Sequence, residues 1–235
     1  MGVYDRYILP HVINLAMRNR HLMPYRRRTI AAAEGRVLEI GIGSGLNLPL
    51  YSAHVHEIVG LEPVPRLTEM AHPRADRTDI RTKFIQGYAE AIPLEDQSVD
   101  TVVTTWTLCS IPDVSTALRE MRRVLKPTGQ LLFVEHGQAP EEGVRKLQDR
   151  LTPAWKCIGG GCHLNRPIAG LIESAGFSIA QLQTGYMKGP KPMTFMYEGR
   201  ARPQTMRARA PAEFMHQREH VDALANPLSP RWVKC

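Results

Sequence analysis

The sequence predicts a doubly wound α/β fold, a mostly parallel sheet with helices on both faces, and three observations carry that expectation. Short apolar runs rich in β-branched residues recur between residues 36 and 135, as fully buried strands require. Helical or turn segments separate them, and parallel neighbours need such crossovers. The first run ends in three alternating glycines, where a doubly wound sheet opens toward a ligand.

Residues 3–30 mix apolar positions with arginines at spacings that suit one or two helices, interrupted near Pro10 and Pro24. Residues 1–30 are therefore expected to form a helical lid. Arg36–Gly41 is the first strand, Glu57–Glu62 the second, Arg66–His72 a helix, Thr82–Gln86 the third strand and Val99–Thr105 the fourth. Asp113–Leu125 places Val114, Ala117, Leu118, Met121, Val124 and Leu125 on one helical face, with Asp113 as N-cap. Lys126-Pro-Thr-Gly129 stops that helix, and Gln130–Glu135 is the fifth strand.

After residue 137 the rhythm changes. A helix over Val144–Leu151, a Gly159-Gly-Gly161 turn and a helix from Pro167 to Ala175 lead into strands at Ile179–Tyr186 and Met193–Glu198. The short Gly/Pro-rich link between these last two favours an antiparallel pair. The α/β domain thus spans residues 31–200. Residues 201–235 turn Arg-, Pro- and Ala-rich and read as a mobile or peripheral tail, with Glu213–Leu224 a candidate surface helix.

Composition narrows the function classes. With 43% hydrophobic residues, the chain can fill one core with segments to spare. No apolar run approaches the roughly 20 residues that cross a bilayer, and the N-terminus lacks the order of a secretory signal, so a cytoplasmic protein is expected. Cys109, Cys157, Cys162 and Cys235 fall at spacings that match neither a disulfide framework nor a paired zinc motif; reduced thiols and no metal are expected. The net charge of +7 gathers at Arg18, Arg20, Arg26, Arg27 and Arg28 and at Arg200, Arg202, Arg207 and Arg209. Solvated surface is the favoured reading of both clusters. With aromatics at 6% and no stacking motif, nucleic acid is not an expected partner. Oligomeric state leaves no mark in the sequence.

The strongest local signal is Leu38-Glu-Ile-Gly-Ile-Gly-Ser-Gly-Leu-Asn-Leu48, a glycine loop after a buried strand, with a helix expected to follow. Glycine lets the backbone turn tightly and lie against a ligand. A dinucleotide loop runs G-x-G-x-x-G, whereas Gly41, Gly43 and Gly45 run G-x-G-x-G, which disfavours a nicotinamide cofactor. Glu62 ends the second strand about 20 residues after the first glycine, where a carboxylate can accept from both hydroxyls of an adenosine ribose.

Glu39–Gly45, Glu62, Gly87-Tyr-Ala-Glu-Ala-Ile-Pro93, Ser98-Val-Asp-Thr-Val-Val103 and Arg122-Arg-Val-Leu-Lys-Pro-Thr-Gly-Gln130 resemble the successive motifs of class I S-adenosylmethionine-dependent methyltransferases of the methyltransferase type 11 group. The resemblance covers roughly residues 36–199. It implies a Rossmann-like methyltransferase fold, a seven-stranded sheet whose last strand is inserted antiparallel, and S-adenosylmethionine as cofactor. It also implies that Gly41, Gly43 and Gly45 pass under the methionine and ribose, that Glu39 orients the cofactor amino group and that Glu62 holds the ribose. The Ala89 amide would lie beside adenine, and Thr105 and Trp106 would face the methionine. Tyr88 departs from the Asp or Asn usual in relatives, which leaves its role open.

Thr107-Leu-Cys-Ser-Ile-Pro112, Phe133-Val-Glu-His-Gly137 and Gly159-Gly-Gly-Cys-His-Leu-Asn-Arg-Pro167 are similar to a narrower group of small methyltransferases that includes alkyl-thiol methyltransferases. His163, Asn165 and Arg166 are candidate substrate residues, although Asn165 also suits a helix cap, with Pro167 in the first turn. His136, just beyond the fifth strand, is the candidate base or substrate-positioning group. Cys109 reads as packed core.

These readings lead to a small-molecule methyltransferase, with a thiol acceptor slightly ahead of an amine or hydroxyl. Its first alternative is a phospholipid N-methyltransferase whose basic, apolar N-terminal segment makes peripheral membrane contact. An alternative of another class is a non-catalytic cofactor-binding protein that acts through its basic ends.

Overall fold

Strands β1 (Gly35–Ile40), β2 (Val55–Glu62), β3 (Arg81–Gln86), β4 (Val99–Thr105), β5 (Leu125–His136), β6 (Phe177–Tyr186) and β7 (Phe195–Pro203) form one sheet in the order β3-β2-β1-β4-β5-β7-β6. This computed structural model describes residues 4–204, so Arg207, Arg209 and the candidate helix at 213–224 lie outside the described residues. The pairings from β3 through β5 are parallel, and β7 runs antiparallel to both β5 and β6. The insertion of β7 depends on one glycine. Gly199 stands opposite Phe133, and a Cβ there would lie 2.6 Å from the Phe133 ring.

The side-chain period of two divides the core cleanly. Leu38, Val59, Val102 and Leu131 enter one apolar cluster, whereas their neighbours Val37, Ile58, Val103 and Leu132 enter the other. Helix α4 (Val114–Val124) closes the first face with Val114, Ala117, Leu118, Met121 and Val124. Its N-cap is Asp113, which accepts from the Thr116 amide at 3.0 Å. Helices α1 (Leu9–Met17) and α2 (Met23–Ala31) follow a π-helical turn at Tyr4–Ile8, and α2 sends the fully buried Ile30 into the second face. Pro10 and Pro24 open these helices rather than break them, since the first turn needs no proline N–H.

Several expected elements change. Only a 3-10 turn, Leu48–Leu50, follows the glycine loop, where a helix was expected; Ile30 of α2 already packs beside Leu48 on that face. Helix α3 (Pro65–Ala75) is longer than expected at both ends. Helix α5 (Glu142–Ile158) continues past Leu151 with Pro153 inside it. It is bolted to the strand ends by the buried Gln148 amide, which donates to the carbonyls of Gly137, Leu164 and Pro192 and accepts from the Ala139 N–H. Helix α6 (Ile168–Ser174) starts after Pro167, so Asn165 does not cap it; the Asn165 amide donates to Asp149 at 2.7 Å instead. A single turn, α7 (Lys191–Thr194), takes the first residues expected in the last strand.

Candidate active site

The ends of β1 and β2 meet at the glycine loop. Gly41, Gly43 and Gly45 all have left-handed φ values, of 64°, 56° and 74°. At Gly43 an added Cβ would meet nothing nearer than the Gly41 carbonyl at 3.8 Å, so this glycine borders open space that a ligand can fill. The Glu62 carboxylate accepts from the Gly43 and Val64 amides, each at 3.0 Å. Burial raises its pKa to about 7 against the lowering effect of those two bonds. The Gly87 amide donates to the Glu62 carbonyl, which brings the loop after β3 and its buried Ala89 to the same corner.

Glu39 shares the face of Val37 and is buried among polar groups. Asn47 Nδ2 donates to Glu39 Oε1 and the Tyr51 hydroxyl to Oε2, both at 2.8 Å. Burial raises the Glu39 pKa to about 7, opposed by these bonds and by the charge of Arg26. Arg26 is the unforeseen member. Counted in the sequence as one of a solvated cluster, it is 4% exposed, because α2 lays it across the strand ends. Its guanidinium donates to Asn47 Oδ1 at 2.6 Å and lies 4.8 Å from the Trp106 ring centroid. Thr105 joins this network through the Asn47 amide, at 3.0 Å. Arg26 Nε is buried without a partner, a donor available to an anionic group. Trp106 itself has φ +52°, and a turn follows it in which the Ser110 amide donates to the Thr107 carbonyl at 2.9 Å.

A second group gathers beyond β4 and β5. Cys109 and His136 are buried and Cys162 is partly buried, and their donor atoms all lie within 4.8 Å of one another. His136 Nε2 is 3.1 Å from Cys162 Sγ, and Cys109 Sγ is 3.7 Å from the Trp106 carbonyl. Burial pulls the His136 pKa down, but the adjacent Cys109 pulls it up by more. The Cys109 thiol is held well below its ordinary value, first by hydrogen bonding from Cys162. Glu135 is fully buried beside them and accepts from the Thr107 amide at 3.1 Å.

The three candidate substrate residues divide in role. The Arg166 guanidinium donates to the carbonyls of Leu108 and Ile111, and so clamps the loop that carries Cys109. His163 bonds Cys109 through its own amide, at 2.8 Å, and its ring lies 3.2 Å from Arg166. Asn165 faces α5. The irregular sequence spacing of the cysteines hid the group that the fold assembles; a shared position just beyond a strand end or glycine turn was the available signal.

Residues 38–133 match the family described as a methyltransferase domain. Thiol S-methyltransferase TMT1B of Rattus norvegicus is 38% identical over 154 residues, 64% of this chain and 63% of that enzyme. Thiol S-methyltransferase TMT1B of Homo sapiens is 32% identical over 176 residues, 72% of this chain and 70% of that enzyme. This chain belongs to the class I S-adenosylmethionine-dependent methyltransferases. The methyltransferase takes S-adenosylmethionine as its cofactor, and the open space at Gly43, the two buried carboxylates and the unpaired Arg26 donor fit a nucleoside joined to an amino acid. The match to the rat enzyme spans less than two thirds of that enzyme's length. The crystal structure of the YcgJ protein of Bacillus subtilis superposes with a TM-score of 0.59 at 19% identity, covering 79% of this methyltransferase and 98% of that chain, which shows the shared fold.

Proposed function

We propose that this chain transfers the methyl group of S-adenosylmethionine to a small-molecule thiol. The observation that carries the reading is the placement of the Cys109–His136–Cys162 group against the Trp106 carbonyl, where β4 adjoins the cofactor corner. The thiol S-methyltransferase relatives support the choice of acceptor. Glu62 holds the ribose, the Ala89 amide lies beside adenine, and Gly41, Gly43 and Gly45 pass beneath the ligand. Glu39, ordered by Asn47 and Tyr51, orients the cofactor amino group; Arg26 pairs with its carboxylate; Thr105 and Trp106 border the methionine chain. The cofactor supplies an electrophilic methyl on a sulfonium.

The protein's part is to hold the acceptor in line about 3 Å from that methyl and to exclude water. His136 positions the acceptor or takes its proton, while Arg166 and His163 fix the loop around Cys109. The test is methyl-labelled cofactor with a fractionated cell extract and a set of alkyl thiols. Label on thiols supports the reading, and label confined to other fractions overturns it.

A second reading, methylation of a phospholipid at a bilayer, is favoured by one feature. Tyr7, Ile8, Val12 and Leu15 are 48–74% exposed, with Arg18 and Arg20 exposed just beyond them. No helix among the described residues is long and apolar enough to cross a membrane, so contact of this kind is peripheral. Cosedimentation with anionic vesicles supports this reading; indifference to them removes it.

A further inference from the structure

We propose that Cys109, His136 and Cys162 bind a thiophilic divalent cation of the zinc class, whose fourth position takes the sulfur of the acceptor. The claim about that fourth ligand rests on the thiol reading; the metal site does not.

The donors come from three places in the chain. Cys109 lies in the loop after β4, His136 ends β5, and Cys162 follows the glycine turn after α5. Two soft sulfurs and an imidazole are a donor set that zinc favours. A tetrahedral site with Zn–S bonds of ~2.3 Å separates its sulfurs by ~3.8 Å. The donor atoms here lie within 4.8 Å of one another, with Cys162 Sγ and His136 Nε2 at 3.1 Å, so side-chain adjustments of under ~1 Å bring them to ligand spacing. Three protein ligands leave one coordination position open, the pattern of zinc sites that accept an exogenous ligand.

Charge and chain geometry agree. Two thiolates and a neutral imidazole balance a divalent cation. On binding, each thiol releases its proton to solvent and His136 keeps its proton on Nδ1. The loop is built to hold its shape. Arg166 clamps the carbonyls on either side of Cys109, and His163 binds the Cys109 carbonyl. An acceptor thiol entering the fourth position loses its proton to solvent as its sulfur binds. That sulfur then forms the new S–C bond while the sulfonium S–C bond breaks, its electron pair staying on the cofactor sulfur. The thioether product, a weaker ligand than a thiolate, is released. His136 on this account is a ligand, and coordination replaces the base.

The full chain is produced in zinc-supplemented medium and purified with a phosphine reductant and no chelator. The expected result is about one zinc per chain by elemental analysis. Cobalt exchange should give thiolate-to-cobalt charge transfer and the visible bands of a tetrahedral site. Cys162→Ser, at the more exposed ligand, and Cys109→Ser, in protein that circular dichroism shows to be folded, should both lose the charge-transfer intensity. Absence of metal and of cobalt bands in folded, thiol-reduced wild type overturns the proposal, as does a Cys109–Cys162 disulfide that persists under the phosphine. Adding 2-mercaptoethanol should shift the charge-transfer band. Bands that ignore it leave the metal site standing and overturn the thiol as fourth ligand. Undiminished thiol methylation by metal-free protein overturns the role of the metal and leaves the thiol reading intact.

Discussion

The corner between β1 and β2 and the corner between β4 and β5 lie at the same carboxyl end of the parallel strands, yet they are built from different materials. At the first, three left-handed glycines and the Gly43 and Val64 amides on Glu62 shape the ligand's bed, and the Asn47 and Tyr51 side chains order Glu39 beside it. At the second, side chains from separate segments converge, and the backbone is held in place by Arg166 and His163. A bed made of backbone suits a ligand that never changes; a corner made of side chains can be retuned to a different acceptor by single substitutions.

If the two corners divide the labour in this way, changes at each should separate binding from turnover. The largest effect is expected at the second corner. His136→Ala should lower turnover at saturating acceptor by about a hundredfold while calorimetry finds cofactor affinity unchanged. Full activity in that variant would remove His136 from the chemistry.

Glu62→Ala should do the converse, weakening cofactor binding by about tenfold to a hundredfold, as for lost bonds to a charged group. Equilibrium binding measures it, and an unchanged affinity would break the assignment of the first corner to the cofactor.

Acidity sharpens the contrast further. Glu39 and Glu62 have an ordinary pKa of 4.5 and titrate near 7 in the fold. Between those values the unfolded chain ionises while the folded carboxyls stay protonated, so stability without cofactor falls as pH rises from about 4.5 to about 7 and then levels off. The slope is on the order of 1 kcal/mol per pH unit for each group. Cofactor binding favours the ionised carboxylates and should therefore strengthen as pH rises through about 7. Denaturant melts and binding isotherms across that range check both signs. The smallest expected effect lies away from both corners. Asp113→Ala should cost about 1 kcal/mol of stability through the lost α4 cap and leave cofactor affinity unaltered.

What sequence reading could reach follows the same division. Gly41, Gly43, Gly45 and Glu62 were legible because local steric demands and a strand-end carboxylate leave a spacing signature. The strands from β1 to β5 and helix α4 were legible because β-branched runs and the amphipathic face of α4 report burial directly. Arg26, Asn47 and Tyr51 were not, since they reach Glu39 from different segments and no spacing records a meeting in space. The Cys109–His136–Cys162 group was hidden for the same reason. The missing helix after the glycine loop failed differently: local expectation gave way to the tertiary fact that α2 already covered that face.

Trp106 carries a consequence for how such a sequence can change over generations. A left-handed backbone on a bulky residue costs on the order of 1–3 kcal/mol, and glycine would relieve it. That replacement would also take the indole from beside Arg26, so a favourable change for the backbone is an unfavourable one for the pocket. Selection for stability alone would move this position toward glycine, and lineages that keep an aromatic there under the same backbone geometry would mark where the pocket is still in use.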